Sequence, residues 1–283
     1  MHWVKHFVKH NHNRHKSAFF TINRRNHLKI IACIKQVPDS EAKVKAEDGK
    51  VSWGDAPLVI NPFDEYAVEG ALQQKEAQGG TVTALCIGPE SAREALKHAL
   101  AMGADEAILV SDPALAELDT VGAARVLAAA INKIGGVEMI VFGRQTLDNG
   151  SGLTPAQTAR VLGWPMLGLA GQIKVQEGRV TVERVIEEGR QTVSAKLPAV
   201  ISVVQSIGEP RYPSFMGIRK ASKATIPVWS LSDLGTASPA ASVTRTELMN
   251  PPARETAVEM ITGDSPAEIA DKLADKILAE KVL

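Results

Sequence analysis

The chain has 283 residues, 45% of them apolar and 4% aromatic, a length that suits one large α/β domain or two smaller ones with a real core. No apolar run approaches the roughly 20 residues that span a bilayer, so the chain reads as not membrane-embedded. Its 32 basic and 32 acidic residues cancel only because residues 1–27 hold six Lys/Arg and no acid; the remainder carries 26 basic against 32 acidic residues, which argues against nucleic acid as a main partner.

Residues 1–27 also contain six of the seven histidines. They lack a helical apolar stripe and a signal-peptide core. Three readings compete: a basic, acid-free mitochondrial transit peptide, a metal-binding tract, or an extension from a mis-assigned start or a tag. The third is favoured, because Leu28-Lys29-Ile30-Ile31 already opens a strand, and the segment is expected to be disordered and non-functional.

From there the pattern alternates. Leu28–Lys35 is a short β-branched run of strand length. Residues 36–57 are polar, broken by Pro38, Gly49, Gly54 and Pro57, and read as a loop with a small hairpin. Pro62–Gln78 is a helix with Phe63, Ala67, Ala71 and Leu72 on one face. Pro62 suits its first turn, Asn61 stands where a cap would, and Asp64 and Glu65 lie at the positive end of its dipole. Thr81–Ile87 is a strand, Glu90–Met102 a helix, Glu106–Val110 a strand, Thr120–Ile134 a helix and Val137–Phe142 a strand. Such alternation gives right-handed crossovers and a parallel sheet.

Beyond Gly171 the pattern changes. Gln172–Gln176, Arg179–Ile186 and Gln191–Lys196 are successive short strands, an antiparallel excursion before Ala199–Val204 returns to the core. Residues 205–225 form a long polar, partly helical segment. Residues 230–258 read as an extended arm rich in Ser, Thr, Pro and Ala. A last helix spans Ser265–Lys281, with Ser265 as cap, Pro266 at its first position and Glu268 three residues on. Its stripe of Ile269, Leu273 and Ile277 has to be buried somewhere, and another chain is the natural candidate. The expected fold is therefore α/β: a doubly wound, mostly parallel sheet with an antiparallel excursion and a C-terminal arm ending in a helix. The α/β nucleotide-binding domain covers residues 28–229 and the arm residues 230–283.

Ligands of open α/β sheets bind beyond the carboxyl ends of the strands. Three distinctive regions lie there: the strand end at Ile34-Lys35, which presents backbone groups near Cys33, the turn Asn61–Asp64 that can lie beside it, and the run Gly143–Thr158. The last holds Gly143, Gly150 and Gly152, with Ser151 and Thr154 ahead of a helix that starts near Pro155. Read from residues alone it is either a Gly-rich connection from strand to helix or a phosphate cradle at a helix N-terminus. There is no Walker lysine pattern and no G-x-G-x-x-G after the first strand.

Catalytic chemistry is harder to assemble. The one histidine beyond residue 27 is His98, on a helix and expected to face solvent, so no nucleophile–His pair suggests itself. Glu187-Glu188 reads as a turn. Cys33 and Cys86 lie in buried strands without a C-x-x-C, as in a reducing, cytoplasmic compartment. The segment Glu209–Lys223 has two prolines, basic residues and three large groups, Tyr212, Phe215 and Met216. These residue types either pack down on the domain or anchor an interface.

Taken in order, Asn61–Glu69, Ala101-Met102-Gly103-Ala104-Asp105, Gly143-Arg144-Gln145-Thr146-Leu147-Asp148 and Glu209-Pro210-Arg211-Tyr212 closely resemble the beta subunit of the electron-transfer flavoproteins, from about Leu28 to the C-terminus. The resemblance implies an electron carrier subunit, not an enzyme. It would pair with an alpha subunit around one FAD held mainly by alpha and covered by beta. A structural AMP would bind at Cys33, at Asn61, Pro62, Phe63 and Asp64, at Ile87, and along Gly143, Arg144, Gln145, Thr146, Leu147, Asp148, Asn149, Gly150, Ser151, Gly152, Leu153 and Thr154. The run Asn149–Leu153 departs from the usual family pattern of further acids and a Gln before the Thr, which bears on side-chain contacts more than on backbone ones. The loop with Tyr212, Phe215 and Met216 would dock an acyl-CoA or related dehydrogenase, with Phe215 at the anchor position, and electrons would leave to a membrane quinone reductase. Two alternatives stand beside it: a bifurcating beta subunit with a second FAD in place of AMP, and a stand-alone nucleotide-binding domain or ATP-dependent ligase. A transit-peptide reading of residues 1–27 would place the chain in the mitochondrial matrix instead of the cytoplasm.

Overall fold

The structure, a computed structural model, describes residues 27–116, 118–243, 246–252 and 258–280. Apart from His27, the expectations placed on residues 1–27 lie outside them.

The first strand, β1 (Leu28–Ile34), alternates between two cores. Ile30, Ala32 and Ile34 enter one, Ile31 and Cys33 the other. A strand covered on both faces has no use for polar alternation, hence its unbroken apolar run. β2 (Gln36–Pro38) pairs with β5 (Leu58–Ile60), and the hairpin expected between them in sequence is β3 (Lys45–Glu47) with β4 (Lys50–Ser52). The rest follows as α1 (Pro62–Gln78), β6 (Gly80–Ile87), α2 (Arg93–Met102), β7 (Glu106–Val110), α3 (Thr120–Ile134), β8 (Met139–Gly143), α4 (Thr154–Leu162), β9 (Met166–Gln176), β10 (Arg179–Ile186), β11 (Gly189–Lys196), β12 (Ala199–Val203), α5 (Phe215–Ser222), β13 (Val228–Trp229) and α6 (Pro266–Ala279).

Among the described residues the main sheet has nine strands in the order β11-β10-β9-β12-β8-β1-β6-β7-β13. From β13 to β9 the neighbours run parallel; β9, β10 and β11 are antiparallel. Helices cover both faces. Ala67 and Leu72 of α1, Leu96 of α2 and Ala221 of α5 pack in one core, Val126 and Leu127 of α3 and Ala159 of α4 in the other. This is the doubly wound architecture expected. The chain goes from β1 outward to β6 and β7, then returns to the other side of β1 with β8. The sheet therefore has its switch point between β1 and β8, and a crevice opens beyond their carboxyl ends.

Beyond shifts of one or two residues at other element ends, three elements differ from the sequence reading. The helix from Glu90 opens as a 3-10 turn, Glu90–Ala92, before α2 takes over. β9 starts at Met166, because it first pairs parallel with β12 and then, past bulges, antiparallel with β10. Gly171 permits that crossing, since a Cβ there would lie 2.5 Å from Ser206 Oγ. β13 adds an edge strand of two residues, too short to give a periodic signal.

The described residues fall into two compact units. One comprises residues 27–43, 53–116 and 118–243, the other residues 44–52, 246–252 and 258–280. The first part of the arm belongs to the former: Leu231 is buried, its N–H donates to Asp112 at 3.2 Å, and Ser242 N–H donates to Asp119 at 2.5 Å. In the second unit the Asn250 side chain bonds both main-chain groups of Ala46, at 2.7 and 3.0 Å. α6 is capped by Ser265, whose hydroxyl accepts from Glu268 N–H, while Glu268 accepts in turn from Asp264 N–H. Ile269 and Leu273 of its stripe are exposed and Ile277 is half-buried. No helix among the described residues is long and apolar enough to cross a membrane.

Candidate functional site

The switch-point crevice is built from three chain ends that meet at Asp64. α1 enters there with Asn61 and Asp64 buried. Asn61 N–H donates to Lys35 O at 2.8 Å, seating the helix against the end of β1, and Lys35 N–H donates to the Asp64 carboxylate at 2.8 Å. Gly143, the last residue of β8, closes the junction. A Cβ on it would lie 2.5 Å from both Asp64 Oδ1 and Phe63 O. Burial pushes the Asp64 carboxyl up to about 7, against hydrogen bonds from Asn61, Lys35 and Gly143 that favour the charged form. Burial likewise raises the thiols, Cys33 well above its usual value and Cys86 to about 12, so both are inert hydrophobes here.

Asn61 does not cap α1. Its side chain makes no capping bond and turns instead to the run after β8, where Nδ2 donates to Gln145 O at 2.9 Å and Oδ1 accepts from Leu147 N–H at 3.1 Å. One amide thus satisfies both signs of backbone group on the loop and fixes its course. Lys35 Nζ adds an ion pair to Asp148 at 2.5 Å, and Gly150 N–H folds back to Thr146 O at 2.8 Å. Gly150 and Gly152 both have positive φ, 66° and 62°, where side chains are strained. Asn149, Ser151 and Leu153 are exposed, Thr154 is half-buried, and α4 starts at Thr154. In its first turns Gln157 Oε1 and Thr158 Oγ1 are buried with no hydrogen-bond partner.

The residues singled out from the sequence therefore lie at one end of the sheet: Asn61–Asp64 and the start of the Gly143–Thr154 run meet at the joint, Cys33 is buried in the core one residue before the end of β1, and Ile87 ends the adjoining β6. Phe63 leaves the apolar helix face assigned to it. It lines a cavity of about 140 Å³ with Tyr66, Arg144, Val203, Val204 and Gln205. Sequence reasoning missed Tyr66, Gln205 and the role of Lys35; a lysine directly after a buried strand and an aspartate in the facing loop were the available signal. His98 is not free either, since Nε2 stands 2.8 Å from Glu65.

The second segment lies on the α1 and α2 side. Glu69, in the middle of α1, is buried and receives Arg211, which also reaches Glu76. Burial alone would raise Glu69, but the hydrogen bonds from Arg211 and Gln73 hold it below the usual carboxylate range. Beyond Arg211 the large groups point outward: Tyr212 is 95% exposed, Phe215 80% and Met216 69%.

Residues 53–234 match the model of the electron transfer flavoprotein domain. Over 265 residues, 90% of this chain and 99% of the relative, the sequence is 36% identical to the electron transfer flavoprotein subunit beta of Mycobacterium tuberculosis. It is 34% identical over 272 residues to that of Megasphaera elsdenii, covering 90% of this chain and all of the relative. The chain belongs to the electron transfer flavoprotein family, as a beta subunit. Subunit CarD of the caffeyl-CoA reductase-Etf complex of Acetobacterium woodii is 34% identical over 263 residues, 90% of this chain and 100% of CarD. In this beta subunit, an electron-transfer component and not an enzyme, the segments that carry the resemblance make long-range contacts. Asn61 clamps Gly143–Asp148, Glu69 holds Arg211, and Asp105 accepts from Val82 N–H at 2.8 Å and from Lys75 at 2.6 Å.

Proposed function

We propose that this beta subunit pairs with an alpha subunit, covers an FAD held mainly by alpha, and carries a structural AMP in its own switch-point crevice. The observation that carries this reading is the Asn61 clamp, which presents the Gly143–Thr154 run and the first turn of α4 beyond the strand ends. Backbone N–H groups at such a helix start suit a phosphate. The partnerless Gln157 and Thr158 oxygens and the positive-φ glycines fit a ligand at that end of the crevice. Asn61, the loop backbone, Ser151 and Thr154 would hold the nucleotide. Phe63, Tyr66 and Arg144 form the aromatic and cationic wall suited to a planar flavin edge. When bound, the flavin supplies the redox chemistry; the chain's residues bind, orient and exclude water.

Tyr212, Phe215 and Met216 form the docking segment for an acyl-CoA or related dehydrogenase, and electrons leave to a quinone reductase. The chain's bacterial relatives support a cytoplasmic setting.

A second reading replaces AMP by a second FAD. A Cβ on Gly150 would have nothing within 4 Å, so the loop's outer end has room for a larger ligand, and a relative serves in a caffeyl-CoA reductase-Etf complex. Denaturing the co-purified heterodimer and quantifying released nucleotides tests both. One FAD and one AMP per heterodimer supports the first reading, two FAD the second, and no nucleotide beyond one FAD overturns both.

A further inference from the structure

Residues 208–214 belong to no helix or strand, yet they lead directly to the exposed Tyr212, Phe215 and Met216. A flexible lead would spread those groups over many positions, and each would have to be ordered on contact with a partner. The surrounding geometry removes that freedom at both ends.

Arg211 is the fastening at the near end. Its backbone N–H and Nε donate to Glu69 Oε2 at 3.2 and 2.8 Å, and Nη2 donates to Glu69 Oε1 at 3.1 Å. Nη1 and Nη2 also reach Glu76, at 2.5 and 3.4 Å. Glu69 and Glu76 are seven residues apart, so they sit two turns apart on one face of α1. Between them Gln73 donates to Ile207 O at 3.2 Å and to Glu69 at 3.1 Å. The far end is fixed by Gly217. A Cβ there would lie 2.3 Å from Ala101 O, so α5 begins in direct backbone contact with the end of α2. Ser214 caps α5 by accepting from Gly217 N–H at 2.9 Å.

We propose that Arg211 is a positioning residue for electron transfer: bridging Glu69 and Glu76, it holds the segment 208–216 so that Tyr212, Phe215 and Met216 stand preformed for a partner. The role rests on the reading of those three groups as the docking segment. Arg211 acts through the segment, its guanidinium being taken up by Glu69 and Glu76. Only a guanidinium fits, because its planar fork serves two carboxylates at once, whereas a lysine ammonium on the same path is a single point charge. The ion pair is half-buried and tied to a buried carboxylate, so it is not one of the exposed pairs that contribute little.

The test uses the complete alpha–beta heterodimer with its flavin, carrying Arg211→Ala or Arg211→Lys. Three quantities are read: the rate of flavin reduction by an acyl-CoA dehydrogenase with its acyl-CoA substrate, as a function of dehydrogenase concentration; the rate of reduction by dithionite; and amide hydrogen exchange across residues 205–223. The expected result is that the dehydrogenase concentration for half-maximal rate rises about tenfold in R211A, and less in R211K, as a disordered anchor requires. The maximal rate, the dithionite rate and the flavin content stay as in the wild type, and exchange at 208–216 accelerates. A parallel loss of flavin, dithionite rate and melting temperature would reduce Arg211 to a structural ion pair and overturn the proposal. Unchanged exchange with an unchanged half-saturating concentration overturns it as well; R211K supplies this comparison even where R211A fails to fold. Accelerated exchange in R211A, combined with normal kinetics in both R211A and Phe215→Ala, sinks the docking reading and shows the segment fastened for another purpose.

Discussion

Gly143 and Asp64 touch so closely that a methyl group on the glycine would sit 2.5 Å from the carboxylate oxygen. The end of β8 and the start of α1 are therefore one joint, and the Gly143–Thr154 loop hangs from it. Gly143→Ala should force the two backbones apart at a cost of about 1–3 kcal/mol, the range for overpacking a tight contact. Urea unfolding should show that loss together with depleted nucleotide in the purified heterodimer. A variant of wild-type stability and nucleotide content would mean that the joint yields easily.

Asp64 makes the same joint sensitive to pH. Its folded value of about 7 lies above the ordinary 3.8, so between those limits the folded chain binds more protons than the unfolded one. The stability linked to Asp64 is therefore full below about pH 4 and is lost as pH rises to about 7; the loss is of order 4 kcal/mol at most. Asp64→Asn removes the charge and should flatten this part of the profile, leaving the variant more stable than the wild type at pH 8. The charged and titratable neighbours are Lys35, Cys33 and Cys86. Denaturant midpoints at pH 5, 6, 7 and 8 check the slope; identical slopes in both proteins would place the Asp64 carboxyl near its ordinary value.

Asn61→Ala should do more harm to nucleotide binding than the double change Ser151→Ala with Thr154→Ala. It strips partners from Gln145 O and Leu147 N–H, two part-buried backbone groups, so the loss lies at or below the about 1–3 kcal/mol of a fully buried unsatisfied group. Ser151 is exposed and Thr154 half-buried, so their hydroxyls matter only through the ligand. The ratio of AMP to protein after gel filtration ranks the variants; equal retention in both variants and the wild type would move the nucleotide elsewhere.

Much of this was legible beforehand because strong local signals agreed with the global fold. α1, β7, α3 and β10 have the expected limits, each bounded by glycine, proline or a sharp change of pattern. The loops of the crevice could be named from their position after strands. What stayed hidden was long-range. Asn61 reads as a helix cap from its neighbours, yet its partners Gln145 and Leu147 are more than 80 residues away. Glu69 sits on an otherwise apolar stretch of α1, a buried charge that demands a partner, but nothing local points to Arg211 at a distance of 142 residues. β13 has only two residues, and its pairing depends on the edge that β7 offers.

That edge changes where the arm can be cut. Removing residues 230–283 would take away Leu231, which is buried, and the bonds from Leu231 to Asp112 and from Ser242 to Asp119. Truncation after residue 245 spares all of these. It should leave the α/β unit folded while weakening pairing with the alpha subunit, because Ile269 and Leu273 of α6 are lost as a contact surface. Circular dichroism melting and co-purification with alpha measure the two effects. A truncated chain that still forms a stable heterodimer would release α6 from that role.

Phe215 offers the sharpest separation of docking from folding. It stands at the first position of α5, after the Ser214 cap, and is 80% exposed, so the possibility that it packs into the domain's own core is gone. Truncating an exposed side chain of this kind changes stability by no more than about 0.5 kcal/mol. An aromatic anchor that fills a partner's pocket is worth about 2 kcal/mol or more, equivalent to about a thirtyfold loss of rate when encounter is limiting. Phe215→Ala should therefore melt with the wild type and keep its flavin spectrum and nucleotide, while the second-order rate constant with the dehydrogenase falls. Raising the dehydrogenase concentration should recover the maximal rate, since Phe215 governs encounter and not the electron transfer that follows. Normal kinetics in this stable variant would take Phe215 out of the docking surface and leave Tyr212 and Met216 as its remaining candidates.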